Sequence, residues 1–117
     1  MKLICNWDCR TKEENGIKYE GVTYTLGEHY TVERYIKTYK DGSVYQNFYV
    51  KVADYNEGRK NYIPEIYYED NYFGERNPRF EIQTTSYGAL NPEEIQKVIK
   101  GYQEAVEAVE ILTNRFC

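Results

Sequence analysis

The chain has 117 residues, with 15 basic and 19 acidic side chains and a formal charge of −4. Fourteen residues are tyrosine, against four phenylalanines and one tryptophan. The length fits one domain, the 41% hydrophobic content excludes a disordered chain, and no apolar run approaches the ~20 residues of a membrane helix.

In chain order, Lys2–Cys5 reads as a short strand. Ile17–Thr25 reads as a second, rich in threonine and tyrosine but interrupted by Gly21. The clearest pair is Tyr30–Lys40 with Val44–Ala53, because Asp41-Gly42 between strand-like runs marks a hairpin. Pairing chemistry argues for a register. With Ile36 opposite Phe48, Val32 faces Val52 on one apolar face. The other face then pairs Tyr35 with Tyr49, Tyr39 with Tyr45 and Glu33 with Lys51. A two-residue turn would instead mix Phe48 and Val50 with Lys37 and Glu33. Further on, Tyr62–Tyr68 contains Pro64, which removes a ladder donor and points to an edge strand or a bulge. Arg79–Ser86 alternates Phe80, Ile82 and Thr84 with Arg79, Glu81 and Gln83.

The chain then changes character. Asn91 suits an N-cap, Pro92 the first helical position, and Glu94 completes a capping box. Apolar residues recur at Ile95, Val98, Ile99, Tyr102, Ala105, Val106, Val109, Leu112 and Phe116, in steps of three and four. Glu93, Lys97, Lys100, Glu104, Glu107, Glu110 and Arg115 take the other side. A helix of ~25 residues spans ~37 Å, about the length of an eleven-residue strand. The expected fold is therefore α+β: an antiparallel β-sheet with one long C-terminal α-helix packed across one face. It is one domain over 1–117, with the sheet region at about 1–89 and the helix at about 91–116.

Few residues suggest chemistry. Cys5, Cys9 and Cys117 are odd in number and sparse, which argues against a disulfide scaffold. Cys5 and Cys9 have half the spacing of a metal site, but His29 is the only histidine. No glycine loop or acidic pattern matches a phosphate or calcium site. No catalytic residue, metal or cofactor is expected. The scattered bases and acidic balance argue against direct nucleic-acid binding.

The tyrosines are the candidate. Tyr35, Tyr39, Tyr45 and Tyr49 should share the sheet face opposite the helix. Tyr67 and Tyr72 lie with Glu65, Glu69 and Asp70 in an acidic segment. Tyrosine offers large contact area, little entropy loss and a polar tip, so interfaces favour it. The carboxylates would suit a protein partner with a basic surface. The alternatives are a homodimer, through the tyrosine face or an edge strand, and a binder of a small nucleotide-like ligand. Base stacking on the same rings is a further rival, opposed by the net charge.

A tyrosine- and lysine-rich sheet region runs into Thr85-Ser86-Tyr87-Gly88-Ala89-Leu90-Asn91-Pro92-Glu93-Glu94 and a single amphipathic helix. In this the chain resembles the small accessory proteins of phages and mobile elements of low-GC Gram-positive bacteria. Among those are anti-defence proteins of the anti-CRISPR type. The resemblance implies a non-enzymatic inhibitor that occupies a basic channel of a host nuclease. It implies a cytoplasmic setting in the host bacterial cell, which agrees with a Met1-Lys2-Leu3-Ile4-Cys5 start that does not read as a secretory leader.

Overall fold

Asn15 and Gly16 fold back the longest hairpin. Their φ angles of +53° and +77° form the left-handed pair that a two-residue hairpin turn requires. The computed structural model describes residues 1–52, 62–72 and 75–117, with side chains at all of these except 71, 72 and 75. Around the turn, β1 (Leu3–Glu14) pairs antiparallel with β2 (Ile17–Leu26). The first strand is thus 12 residues long, where Lys2–Cys5 was expected. Its polar second half lacks hydrophobic alternation, and the Asn-Gly turn is what pairs it.

β1 is also broken. Cys5 opposes Tyr24 and Cys9 opposes Val22, so Asn6, Trp7 and Asp8 stand against Thr23 alone. Trp7 has φ +56° there, a backbone conformation that is costly for a bulky side chain.

β3 (Tyr30–Thr38) and β4 (Val44–Val52) complete a four-stranded sheet in the order β1-β2-β3-β4. Ala53, the expected end of β4, lies outside the described residues. The expected β3–β4 register is corrected by two residues. Ile36 opposes Gln46, Val32 opposes Val50 and Glu33 opposes Tyr49. The loop explains the shift. Tyr39 and Ser43 close it, with Tyr39 N donating to Ser43 O at 2.9 Å, and Gly42 takes φ +88° at its last position. The expected register would have put Ser43 at that left-handed position, where glycine fits best. A shift of two leaves every side chain on its expected face. The expected pairs therefore survive as diagonal neighbours. Tyr35 and Tyr49 lie 5.6 Å apart, Tyr39 and Tyr45 5.4 Å, and Lys51 Nζ is 3.0 Å from Glu33 Oε1.

β5 (Ile66–Tyr72) and β6 (Glu75–Ile82) form a separate antiparallel pair, and β5 begins two residues after Pro64. α1 (Pro92–Phe116) follows, with the expected cap: Asn91 Oδ1 accepts from Glu94 N at 2.8 Å. The architecture is α+β, with the C-terminal helix against the sheet. One refinement concerns what covers the core face. The helix shares it with β5–β6. Phe48 of β4 meets Tyr68 at 4.8 Å, Phe80 at 5.1 Å and Phe116 at 4.9 Å, so both elements converge on one ring. Leu26, Tyr30, Val32 and Leu112 are the largest fully buried side chains.

The helix is rotated from its expected setting. Gly101, Ala105, Ala108 and Leu112 are its buried line. Ile95, Ile99 and Val106, expected inside, are 44–47% exposed. A Cβ on Gly101 would lie 1.9 Å from the Tyr62 carbonyl oxygen, so the 62–63 backbone runs directly against the helix there. Only the small-residue side permits that approach, and the larger side chains turn outward.

Tyr30 ties the layers together. Its hydroxyl donates to the Pro64 carbonyl at 2.7 Å, in a site where the ring is 1% exposed. Burial, with Glu104 nearby, pushes its pKa well above the usual phenol range. Tyr30→Phe leaves the Pro64 oxygen buried without that donor. It should cost about 1–3 kcal/mol, seen as a lower urea midpoint at unchanged slope.

Candidate functional site: two aromatic faces of opposite charge

Side-chain alternation places Tyr19, Tyr35, Tyr45 and Tyr49 on the sheet face away from the helix, with exposures of 36–53%. Tyr39 joins them through its contact with Tyr45. The expected quartet is thus brought together, and Tyr19 extends it. The rings fall into two edge-to-face pairs, Tyr35–Tyr49 and Tyr39–Tyr45. The pairs are four residues apart along each strand, or ~13 Å. Gly21 lies opposite Tyr35, and a Cβ there would meet the Tyr35 ring at an ordinary van der Waals distance of 3.6 Å.

Charged groups are set among these rings. Lys37 Nζ lies 5.5 Å over Tyr19 and 5.2 Å over Tyr39. The Arg76 guanidinium of β6 reaches round β4, 4.2 Å over Tyr45, and donates to the Val44 carbonyl at 3.0 Å. Glu33 accepts from Lys51 Nζ at 3.0 Å and from the Tyr35 hydroxyl at 2.8 Å. Those bonds hold its carboxyl below the usual range, so they add stability above that range and lose it as pH falls through the lowered pKa. At the paired positions of this face, Arg10, Lys12, Lys37 and Lys51 stand against Glu14 and Glu33. That is a surplus of two positive charges on a chain whose total is −4.

The acidic segment lies elsewhere. Ile66, Tyr68 and Phe80 of β5–β6 point at Phe48 and the core. By alternation Tyr67, Glu69, Arg79 and Glu81 point outward, away from the large sheet, with Arg79 ion-paired to Glu81. Tyr67 is 50% exposed, and its hydroxyl lies 2.7 Å from Glu65 and 2.8 Å from the Gln83 amide oxygen. Asp70 belongs to the inner side, 3.7 Å from Arg76 Nε and 3.4 Å from the Tyr68 hydroxyl. Burial, with Asp70 beside it, pushes the Tyr68 pKa up to about 12. The Tyr72 side chain lies outside the described residues. The nine expected contact residues therefore do not form one surface. The tyrosine quartet and the Glu65–Glu69 group face opposite sides of the molecule.

Sequence reasoning missed Trp7. It is 88% exposed on the β1 bulge, and nothing in the local pattern marks a bulge there. It also missed a cavity of about 450 Å³, a volume typical of small-ligand sites, lined by Tyr19, Tyr35, Lys37 and Tyr45 of the tyrosine face together with Glu20 and Asp70 among others. His29 is paired, with Nδ1 2.7 Å from Glu104 Oε2. Cys5 packs against the core, Cys9 lies in β1, and all three cysteines are free thiols. Among the described residues, no three His, Cys, Asp or Glu side chains are grouped to hold a metal ion, and no helix is long and apolar enough to cross a membrane.

No family model matches the chain, and no curated protein or solved structure matches it.

Proposed function

We propose that this chain is a non-catalytic protein-binding module, acting as a small phage or mobile-element inhibitor of a host defence protein. The outer face of β5–β6 is its contact surface for a basic partner. The observation that carries this reading is Tyr67: a half-exposed ring, bonded to Glu65, on a strand face where Glu65, Glu69 and Glu81 outnumber Arg79, which is ion-paired to Glu81. A ring held in place loses little entropy on binding, and carboxylates around it steer a basic groove onto it. Occupying such a groove would keep nucleic acid out of a nuclease. The opposite, cationic face of the large sheet is poorly suited to the same partner.

The test is capture from a bacterial lysate with partner identification, comparing the natural chain with Glu65→Lys/Tyr67→Ala/Glu69→Lys. A basic protein should be captured at low salt, released as salt rises, and held at least tenfold less well by the triple variant. Equal capture by both chains would remove this face from the reading. A particle of twice the 14.0 kDa chain mass in light scattering, lost in the variant, would point to self-pairing instead.

A further inference from the structure

The open face of the four-stranded sheet combines two features. It is aromatic, with Tyr19, Tyr35, Tyr45 and Tyr49 each at least 36% exposed. It is also cationic, on a chain that is otherwise acidic. Its surplus of two positive charges on a total of −4 leaves −6 for all remaining residues. The whole-chain balance averages over sides of opposite sign, so it does not describe this face.

We propose that this face binds single-stranded nucleic acid, with bases stacked on the tyrosine pairs and phosphates held by the cations between and beside them. The chemistry has three parts. Every base has a π-face, so stacking on tyrosine needs no particular sequence. The two pairs, ~13 Å apart along the strands, offer two platforms on one line. Lys37 stands between Tyr19 and Tyr39, and Lys51 and Arg76, ion-paired in the free chain to Glu33 and Asp70 respectively, stand near the ends of β4. A backbone crossing the sheet would thus meet a cation near each platform. The open, uncovered sheet also leaves room for splayed bases, which a duplex does not present. An acidic protein surface would also satisfy the cations and cover the rings, so it is the rival occupant that the poly-glutamate probe represents.

The probes are a labelled dT 12-mer and rU 12-mer, a duplex of mixed sequence, and a poly-glutamate peptide, each followed by fluorescence anisotropy. The single strands should bind, and affinity should fall with salt at a log–log slope of about −2 or steeper, as three or four phosphate contacts require. Tyr49→Ala should weaken binding by about tenfold, and Tyr49→Phe should leave it nearly unchanged, because stacking needs the ring and not the hydroxyl. Lys37→Glu should weaken binding and flatten the salt slope by about one unit. Tyr49 is 53% exposed, so its variants should fold, which circular dichroism checks. The proposal is overturned by no single-strand binding at low salt. It is equally overturned by duplex bound as tightly as single strand, by a Tyr49→Ala variant as tight as the natural chain, or by capture of poly-glutamate alone. Tyr67→Ala, on the other side, should change nothing here, so this test and the capture experiment fail independently.

Discussion

Replacing Gly101 with alanine should destabilise the protein, although alanine is the better helix former. On an exposed helix the change would gain about 1 kcal/mol. Here the new methyl carbon would stand 1.9 Å from the Tyr62 carbonyl oxygen and 2.9 Å from its carbon. Both are backbone atoms, so no side chain can swing aside. Either the helix lifts off or the 62–63 backbone moves, and each opens the contacts at Ala105 and Ala108, which are fully buried. Overpacking of this kind costs about 1–3 kcal/mol, and the sign opposite to propensity is the diagnostic. Chemical unfolding of Gly101→Ala beside an exposed control such as Gln103→Ala would show it. A Gly101→Ala chain as stable as the natural one would mean that the helix does not lie this close.

Leu112→Ala should have the largest effect of any single truncation on the helix. Leu112 has no exposed surface and belongs to the cluster of Leu26, Tyr30, Val32 and Phe48. Truncation removes its burial and leaves a cavity that a sheet and a second strand pair cannot both collapse into. The cost should be about 3–5 kcal/mol. A chain of this size has about 5–15 kcal/mol in total. The thermal midpoint should drop by ~10–20 °C. Val106→Ala on the same helix is the contrast: Val106 is 47% exposed, and its loss should be within about 1 kcal/mol. Equal losses at the two positions would restore the helix orientation that periodicity suggests.

The contrast between those two residues shows what the sequence could and could not convey. The helix start was legible because Asn91, Pro92 and Glu94 act on their own neighbours. The tyrosine face was legible because alternation sets faces, and an error of two residues in register preserves them. Gly42 held the information for the true register, as the one loop residue at ease with φ +88°. Asn15-Gly16 likewise marked the first hairpin, hidden by the polar run of β1. The helix orientation was not legible. Ile95, Ile99 and Val106 fit one apolar stripe with Leu112, and only the backbone at Tyr62, far away in sequence, selects the small-residue side. The sign of the tyrosine face was also out of reach. It depends on Arg10 and Lys12 of β1, whose pairing with Gly21 and Tyr19 follows from the long hairpin. Separation of Glu65 and Tyr67 from the quartet needed the contacts of Phe48, which turn β5–β6 inward on one side and outward on the other.

The bulge in β1 shapes one open edge of the sheet. β1 has a neighbour on one side only among the described strands, and such a strand can recruit another chain into a growing sheet. Three residues opposite one interrupt its ladder midway, and Trp7 turns the backbone into a left-handed conformation that no straight strand can match. Beyond the break, Arg10, Lys12, Glu13 and Glu14 present two positive and then two negative charges to any strand that approaches. The same irregularity that exposes the one tryptophan therefore limits how far another strand could pair along this edge, to the short straight runs on either side of the break.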